Sequence, residues 1–136
     1  IAKRVNALAK EITMDYQGKD LLVIAILKGS FIFAADLVRQ IDLPLEMDFM
    51  AAKSYGDNTH PGEVRIVKDL DKPIEGRHIL IVEDILDTGQ TLNALYKLLY
   101  EERLLFVPAL FWISLLAEIR IFTPIIKGMK SPIILL

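Results

Sequence analysis

The sequence predicts an α/β domain: a parallel sheet of about four or five strands, flanked by helices and joined by right-handed crossovers. Three observations lead there. Leu21–Leu27 (LLVIAIL) and Ile79–Val82 (ILIV) are unbroken aliphatic runs, as expected of strands covered on both faces. Each run ends in a polar turn, Lys28-Gly29-Ser30 in one case and a stretch opening with Glu83-Asp84 in the other. Each turn leads into a segment with helical apolar spacing. Strand, turn and helix in that order place a ligand site at the carboxyl ends of parallel strands.

The elements follow in order. Ile1, Val5, Leu8, Ala9, Ile12 and Tyr16 recur at helical spacing, so the first segment is an amphipathic helix with a structural role. The strand 21–27 and its turn come next. FIFAADLVRQI then reads as a helix with Ile32, Ala35, Leu37, Val38 and Ile41 on its apolar face. Leu45, Met47, Phe49 and Ala51 alternate within 45–55 and predict a half-buried strand. The polar stretch GDNTHPGE is expected to be a mobile connection, after which Val64, Ile66 and Val67 resume strand character. Asp71-Lys72-Pro73 and Gly76 mark a turn before the strand 78–83. His60 and His78 have no Cys, His or acid at metal-ligand spacing and read as structural or solvated.

Composition bounds the function. One domain over 1–136 is expected from the length, and the 53% hydrophobic content is ample for its core. There is no cysteine, which rules out disulfides and zinc-thiolate sites and fits a reducing cytoplasm. No secretory or transit segment is read in the sequence. A net charge of −2 argues against a nucleic-acid partner held by a basic surface.

The chemistry concentrates in 79–92, ILIVEDILDTGQTL. Thr88, Gly89, Gln90 and Thr91 fall where a helix begins. The first amides of a helix lack internal partners and carry partial positive charge, so a phosphate is the natural guest, with the threonine hydroxyls as further donors. Glu83 and Asp84 would repel a phosphate in direct contact. They make sense facing sugar hydroxyls or a metal that also holds phosphate. A plain strand-to-helix connection with Asp87 as N-cap explains one acid, but not two acids closing so apolar a strand. Neither GxxxxGK[ST] nor GxGxxG occurs in the chain.

VEDILDTGQT resembles the phosphoribosyl pyrophosphate signature of the type I phosphoribosyltransferases, and LKGS (27–30) resembles the pyrophosphate loop of the hypoxanthine-guanine phosphoribosyltransferases among them. The resemblance covers about 1–102. It implies the family fold and its strand order, with a cis peptide between Leu27 and Lys28. It also implies a flexible catalytic loop whose Ser-Tyr pair matches Ser54-Tyr55. The implied reaction moves the 5-phosphoribosyl group from phosphoribosyl pyrophosphate to hypoxanthine or guanine, with Mg2+ as cofactor, in purine salvage. In the matched positions Thr88, Gly89, Gln90 and Thr91 hold the 5-phosphate. Glu83 and Asp84 meet the ribose hydroxyls directly or through magnesium, Lys28 and Gly29 hold the pyrophosphate, and Asp87 is the general base for the purine. A cytoplasmic homo-oligomer, dimer or tetramer, is implied. Two other classes compete: a donor-sensing regulator on the same fold that binds RNA, and an inactive fragment without a purine pocket. Residues 1–102 are acidic on balance, which places the regulator second.

The tail departs from this pattern. Residues 1–102 carry 12 basic and 17 acidic residues, a net of −5, whereas 103–136 carry four basic and one acidic, a net of +3. The family's Leu-Leu-Asp-Lys-Pro and the aromatic base-stacking segment are absent from this divergent apolar tail. Four readings compete. Leu104–Val107 or Leu110–Ile113 extends the parallel sheet; the tail enters a membrane; it forms an oligomer interface; or it comes from a shifted reading frame. The 14-residue apolar stretch Leu104–Ala117 contains Pro108 and is short of the roughly 20 residues a spanning helix needs. The change in charge and the lost motifs favour the shifted frame.

Overall fold

The structure is a computed structural model and describes residues 2–55, 63–83, 109–114, 120–121 and 134–135. Helix α1 spans Ala2–Asp15 and is followed by strand β1 (Leu21–Leu27), helix α2 (Phe31–Val38), β2 (Leu45–Tyr55), β3 (Glu63–Lys68) and β4 (His78–Glu83). Three strands come later: β5 (Ala109–Ser114), β6 (Arg120–Ile121) and β7 (Ile134–Leu135). Five strands form one sheet in the order β3-β2-β1-β4-β5, and β6 and β7 form a separate antiparallel pair. β2, β1, β4 and β5 run parallel, while β3 joins β2 antiparallel, so the sheet is mixed at one edge.

The two aliphatic runs lie side by side at the centre. β1 pairs with β4 from Leu21↔His78 to Ala25↔Val82 and with β2 from Leu21↔Leu45 to Leu27↔Ala51. Leu21, Val23, Ala25, Leu80 and Val82 form one core with Val5, Ala9, Ile12 and Tyr16 of the first segment and Phe33, Ala34, Leu37 and Ile41 of the second. Both described helices therefore cover the same face. The opposite face is equally closed: Leu22, Ile24, Ile26, Met50, Ile79 and Ile81 are all buried. Apolar residues throughout β1 and at Ile79–Val82 of β4 follow from burial on both sides.

Two details differ from expectation. The buried stripe of α2 is Phe33, Ala34 and Leu37, and Ile32 is 58% exposed, so the helical phase is turned relative to the one predicted. Phe31 to Ala35 are apolar without a break, which leaves the phase undetermined by pattern alone. β2 is half-buried at its start, where Glu46 is exposed, but not in its middle. Leu45, Met47 and Phe49 pack against the helical core, but Asp48 and Met50 on the other face are buried more deeply.

Asp48 survives burial because its oxygens are occupied. They accept the amides of Phe49 at 2.7 Å and Asp71 at 2.8 Å, and Lys68 Nζ stands 3.6 Å away. Lys68 Nζ also donates to Phe49 O (3.0 Å), Asp69 O (2.8 Å) and Asp71 Oδ1 (3.1 Å). This cluster fastens the end of β3 to β2 beside a register shift at Ala51/Ala52.

A second polar cluster closes the amino ends of the parallel strands. Arg77 donates to both oxygens of Asp20 (3.0 and 2.9 Å) and to Glu46 Oε2 (2.9 Å), and Lys72 reaches the same glutamate oxygen at 3.4 Å. These side chains enter β1, β2 and β4, so one guanidinium stitches three neighbouring strands. Hydrogen bonds from Arg77 and then Lys72 hold the Glu46 carboxyl below its ordinary range. Next to them His78 meets the Tyr16 ring edge-on, with centroids 6.1 Å apart. Burial, then the charge of Lys19, lowers the imidazole pKa against a smaller opposing effect of Asp20. His78 is thus structural, as one of its two readings held.

Candidate active site

The carboxyl edge of the sheet gathers the site residues within the described chain. β1 ends at Leu27 and β4 at Glu83, and the strands are direct neighbours. Lys28 and Gly29 leave β1 in an exposed turn, while Glu83 leaves β4 half-buried. The peptide between Leu27 and Lys28 is cis, as the resemblance implied. A cation, an exposed glycine and a carboxylate therefore emerge from adjacent strand ends, where open α/β sheets take their ligands.

Ser30 ends the turn and is fully buried. Its Oγ donates to the Ile26 carbonyl at 2.6 Å, and its own carbonyl accepts the Ala34 amide at 2.8 Å as α2 begins. Sequence reasoning included Ser30 only as part of the LKGS string. A serine at a strand-to-helix junction normally reads as an N-cap, but this one makes no side-chain cap bond.

Ser54 and Tyr55 lie at the end of β2, paired with Val64 and Glu63 of β3. β1 stops opposite Ala51, so β2 runs four residues further, roughly 13 Å of extended chain. The β2–β3 ribbon therefore projects beyond the edge from which Lys28 and Glu83 emerge. Asp84, Asp87, Thr88, Gly89, Gln90 and Thr91 lie outside the described residues, as do the polar connection 56–62 and His60. Among the described residues no three His, Cys, Asp or Glu side chains cluster as a metal site, and no helix is long and apolar enough to cross a membrane.

Of the four readings of the tail, sheet extension applies to part of it. The backbone of 109–114 pairs parallel with β4 from His78↔Ala109 to Glu83↔Ser114 and carries the sheet one strand past the site. Leu104–Val107 lies outside the described residues.

Comparison with known proteins agrees with this architecture. The phosphoribosyl transferase domain matches residues 1–110, a span that runs past 102 into the start of β5. The chain is 52% identical over 99 residues to the hypoxanthine-guanine phosphoribosyltransferase of Bacillus subtilis, covering 72% of this chain and 55% of that protein. It is 51% identical over 100 residues to the hypoxanthine phosphoribosyltransferase of Haemophilus influenzae, covering 71% and 56%. The chain thus spans about half the length of these relatives. Among solved structures, a hypoxanthine phosphoribosyltransferase from Staphylococcus aureus superposes with a TM-score of 0.77 at 43% identity, covering 84% of this chain and 61% of the other. A Trypanosoma cruzi hypoxanthine phosphoribosyltransferase in complex with its product IMP gives 0.73 at 41% identity, covering 84% and 64%. By sequence and by backbone alike, the chain belongs to the phosphoribosyl transferase domain family.

Proposed function

We propose that residues 1–136 form one domain that binds phosphoribosyl pyrophosphate and serves the transfer of its 5-phosphoribosyl group to hypoxanthine or guanine. The products are the purine nucleotide and pyrophosphate. The observation that supports this most is the adjacency of the β1 and β4 ends. It brings the Lys28-Gly29 turn and the first residue of the EDILDTGQT segment to one edge. In this reading the amides and hydroxyls of Thr88, Gly89, Gln90 and Thr91 hold the 5-phosphate. Lys28 and Gly29 hold the pyrophosphate. Glu83 and Asp84 grip the ribose hydroxyls, and Asp87 takes the purine proton. The ribbon bearing Ser54 and Tyr55 runs past this edge, and in this reading it shields the reacting carbon from water.

Magnesium suits the donor set. Mg2+ is commonly held by one or two carboxylates together with substrate phosphates, and Glu83 and Asp84 are hard oxygen donors of that kind. When bound it would offset charge on the departing pyrophosphate. Positioning and electrostatic stabilisation are the work left to the chain's own residues.

The protein is expected to act as a homo-oligomer. A Trypanosoma cruzi relative with 40% identity and a TM-score of 0.74 has been studied for the role of its C-terminal region in oligomeric state and enzymatic activity. This chain covers 63% of that relative, and its own sequence departs from the family after about residue 102. A second reading follows from that departure: the chain binds the donor but lacks the base pocket, because residues 103–136 contain neither Leu-Leu-Asp-Lys-Pro nor the aromatic segment.

One assay separates the two. The chain is supplied with donor, Mg2+ and hypoxanthine or guanine, while donor binding is followed by calorimetry. Binding with turnover supports the first reading, and binding without turnover supports the second. No binding contradicts both. The nucleotide sequence past codon 102 tests the shifted frame: another frame that encodes the missing motifs would establish it.

A further inference from the structure

We infer that Ser30 is a positioning residue whose hydroxyl, bonded to the Ile26 carbonyl, fixes the Lys28-Gly29 turn in the shape that receives a diphosphate. The inference rests on the donor-binding reading above and deepens it.

Serine at the start of a helix ordinarily accepts an amide of the first turn. Ser30 has helical dihedrals (φ −76°, ψ −10°) and makes no such bond. Its Oγ turns back and donates to Ile26 O at 2.6 Å, across the three residues Leu27, Lys28 and Gly29. The contrast in exposure is sharp. Lys28 and Gly29 are exposed, whereas Ser30 is 0% and Ile26 5% exposed. The bond therefore forms inside the protein and closes a loop whose outer residues face solvent.

Few other ties hold this turn among the described residues. The Phe31 amide reaches the Lys28 carbonyl at only 3.5 Å. β1 pairs with β4 no further than Ala25↔Val82, so the ladder on that side has ended before the turn begins. Ser30 is also bonded in the other direction, its carbonyl accepting the Ala34 amide at 2.8 Å. One residue thus locks the end of a central strand to the start of a helix, with the anion-facing turn held between them. A turn fixed beforehand spends less of its binding energy on ordering when a ligand arrives.

A merely structural serine would affect every ligand through the fold. A positioning serine affects only the ligand that uses the turn. The test is calorimetry with Mg2+ and two probes, inorganic pyrophosphate for the turn and ribose 5-phosphate for the 88–91 segment. Removing one net hydrogen bond's worth of ordering in Ser30→Ala should weaken pyrophosphate roughly five- to tenfold. Ribose 5-phosphate affinity should stay within about twofold, and Ser30→Thr, which keeps a hydroxyl, should recover most of the loss. Ser30→Gly removes the hydroxyl in a different way and provides the same comparison if Ser30→Ala does not fold. Equal pyrophosphate affinity in Ser30→Ala and the unaltered chain would overturn the inference. So would a parallel loss for both probes, or a Ser30→Thr protein as weak as Ser30→Ala. An unaltered chain that binds neither probe would instead overturn the donor-binding reading, which keeps the two failures distinct.

Discussion

The two ends of the parallel strands are built to opposite purposes. At the amino ends, Arg77 is 13% exposed and bonds to carboxylates from the entrances of β1 and β2, so cation and anion satisfy each other within the protein. At the carboxyl ends, Lys28 and Gly29 stand exposed at the end of β1, with Glu83 beside them at the end of β4. The first end spends its charge on holding strands together. The second is proposed to present the exposed Lys28-Gly29 turn to a ligand. Stability and function should therefore separate by end, and substitutions can test whether they do.

The largest expected effect is at the carboxyl end. In a protein of full family length, Asp87→Asn should lower turnover by about 10²–10⁴-fold with donor affinity nearly intact, since general-base catalysis is of that size. Unchanged turnover would remove the general base from this loop. Next, Asp84→Ala should weaken donor binding about tenfold or more in the presence of Mg2+, with little change in melting temperature. An unaltered calorimetric affinity would count against the proposed carboxylate grip.

At the amino end the signs reverse. Arg77→Ala should cost about 1–2 kcal/mol in denaturant unfolding while donor affinity holds. The figure is modest because Asp20 and Glu46 are themselves 65% and 49% exposed and can be rehydrated. Lys72→Ala, at a solvent-exposed pair, should cost less than about 0.5 kcal/mol. A loss of donor affinity in either variant would break the division between the ends.

Acid should also act through the amino end. The Glu46 pKa is lowered in the folded protein, so the unfolded chain takes up its proton first as pH falls. Its contribution is present above the ordinary carboxylate range and lost as pH drops through the lowered value. The His78 pKa is lowered too, so folding loses stability as pH falls below the ordinary imidazole range. Unfolding curves measured from neutral to acid pH should show two successive losses, and His78→Phe should flatten the first. Stability that rises on acidification would contradict both signs.

How much of this was legible in the sequence depends on how local the cause is. β1 and the 79–82 run of β4 are read directly, because burial on both faces leaves no polar position there to confuse the pattern. The first segment shows its phase plainly, since Asn6, Lys10, Glu11, Thr13 and Asp15 interrupt the buried positions Val5, Ala9, Ile12 and Tyr16. The second does not, because five apolar residues in a row fit more than one phase. Alternation along β2 does not foretell the burial of Asp48, which only the approach of Lys68 and Asp71, more than 19 residues away, makes tolerable. Arg77 is a similar case: its partners are known only once β1 is placed between β2 and β4. The parallel pairing of 109–114 was one of four readings of the tail, because an apolar segment alone does not say what it packs against. Lys28, Gly29 and Glu83 are proposed from their positions after apolar runs, and the adjacency of those strand ends is what the fold adds. The buried tie made by Ser30 could not be read, since a serine at that position reads first as a cap.

The central claim is that the carboxyl edge formed by β1 and β4 seats the phosphoribosyl donor. A crystal of the chain soaked with phosphoribosyl pyrophosphate and Mg2+ tests it most directly. The diphosphate is expected on the Lys28-Gly29 turn and the ribose beside Glu83. A vacant edge, or a donor lodged among Arg77 and Lys72 at the other end of the strands, would contradict it.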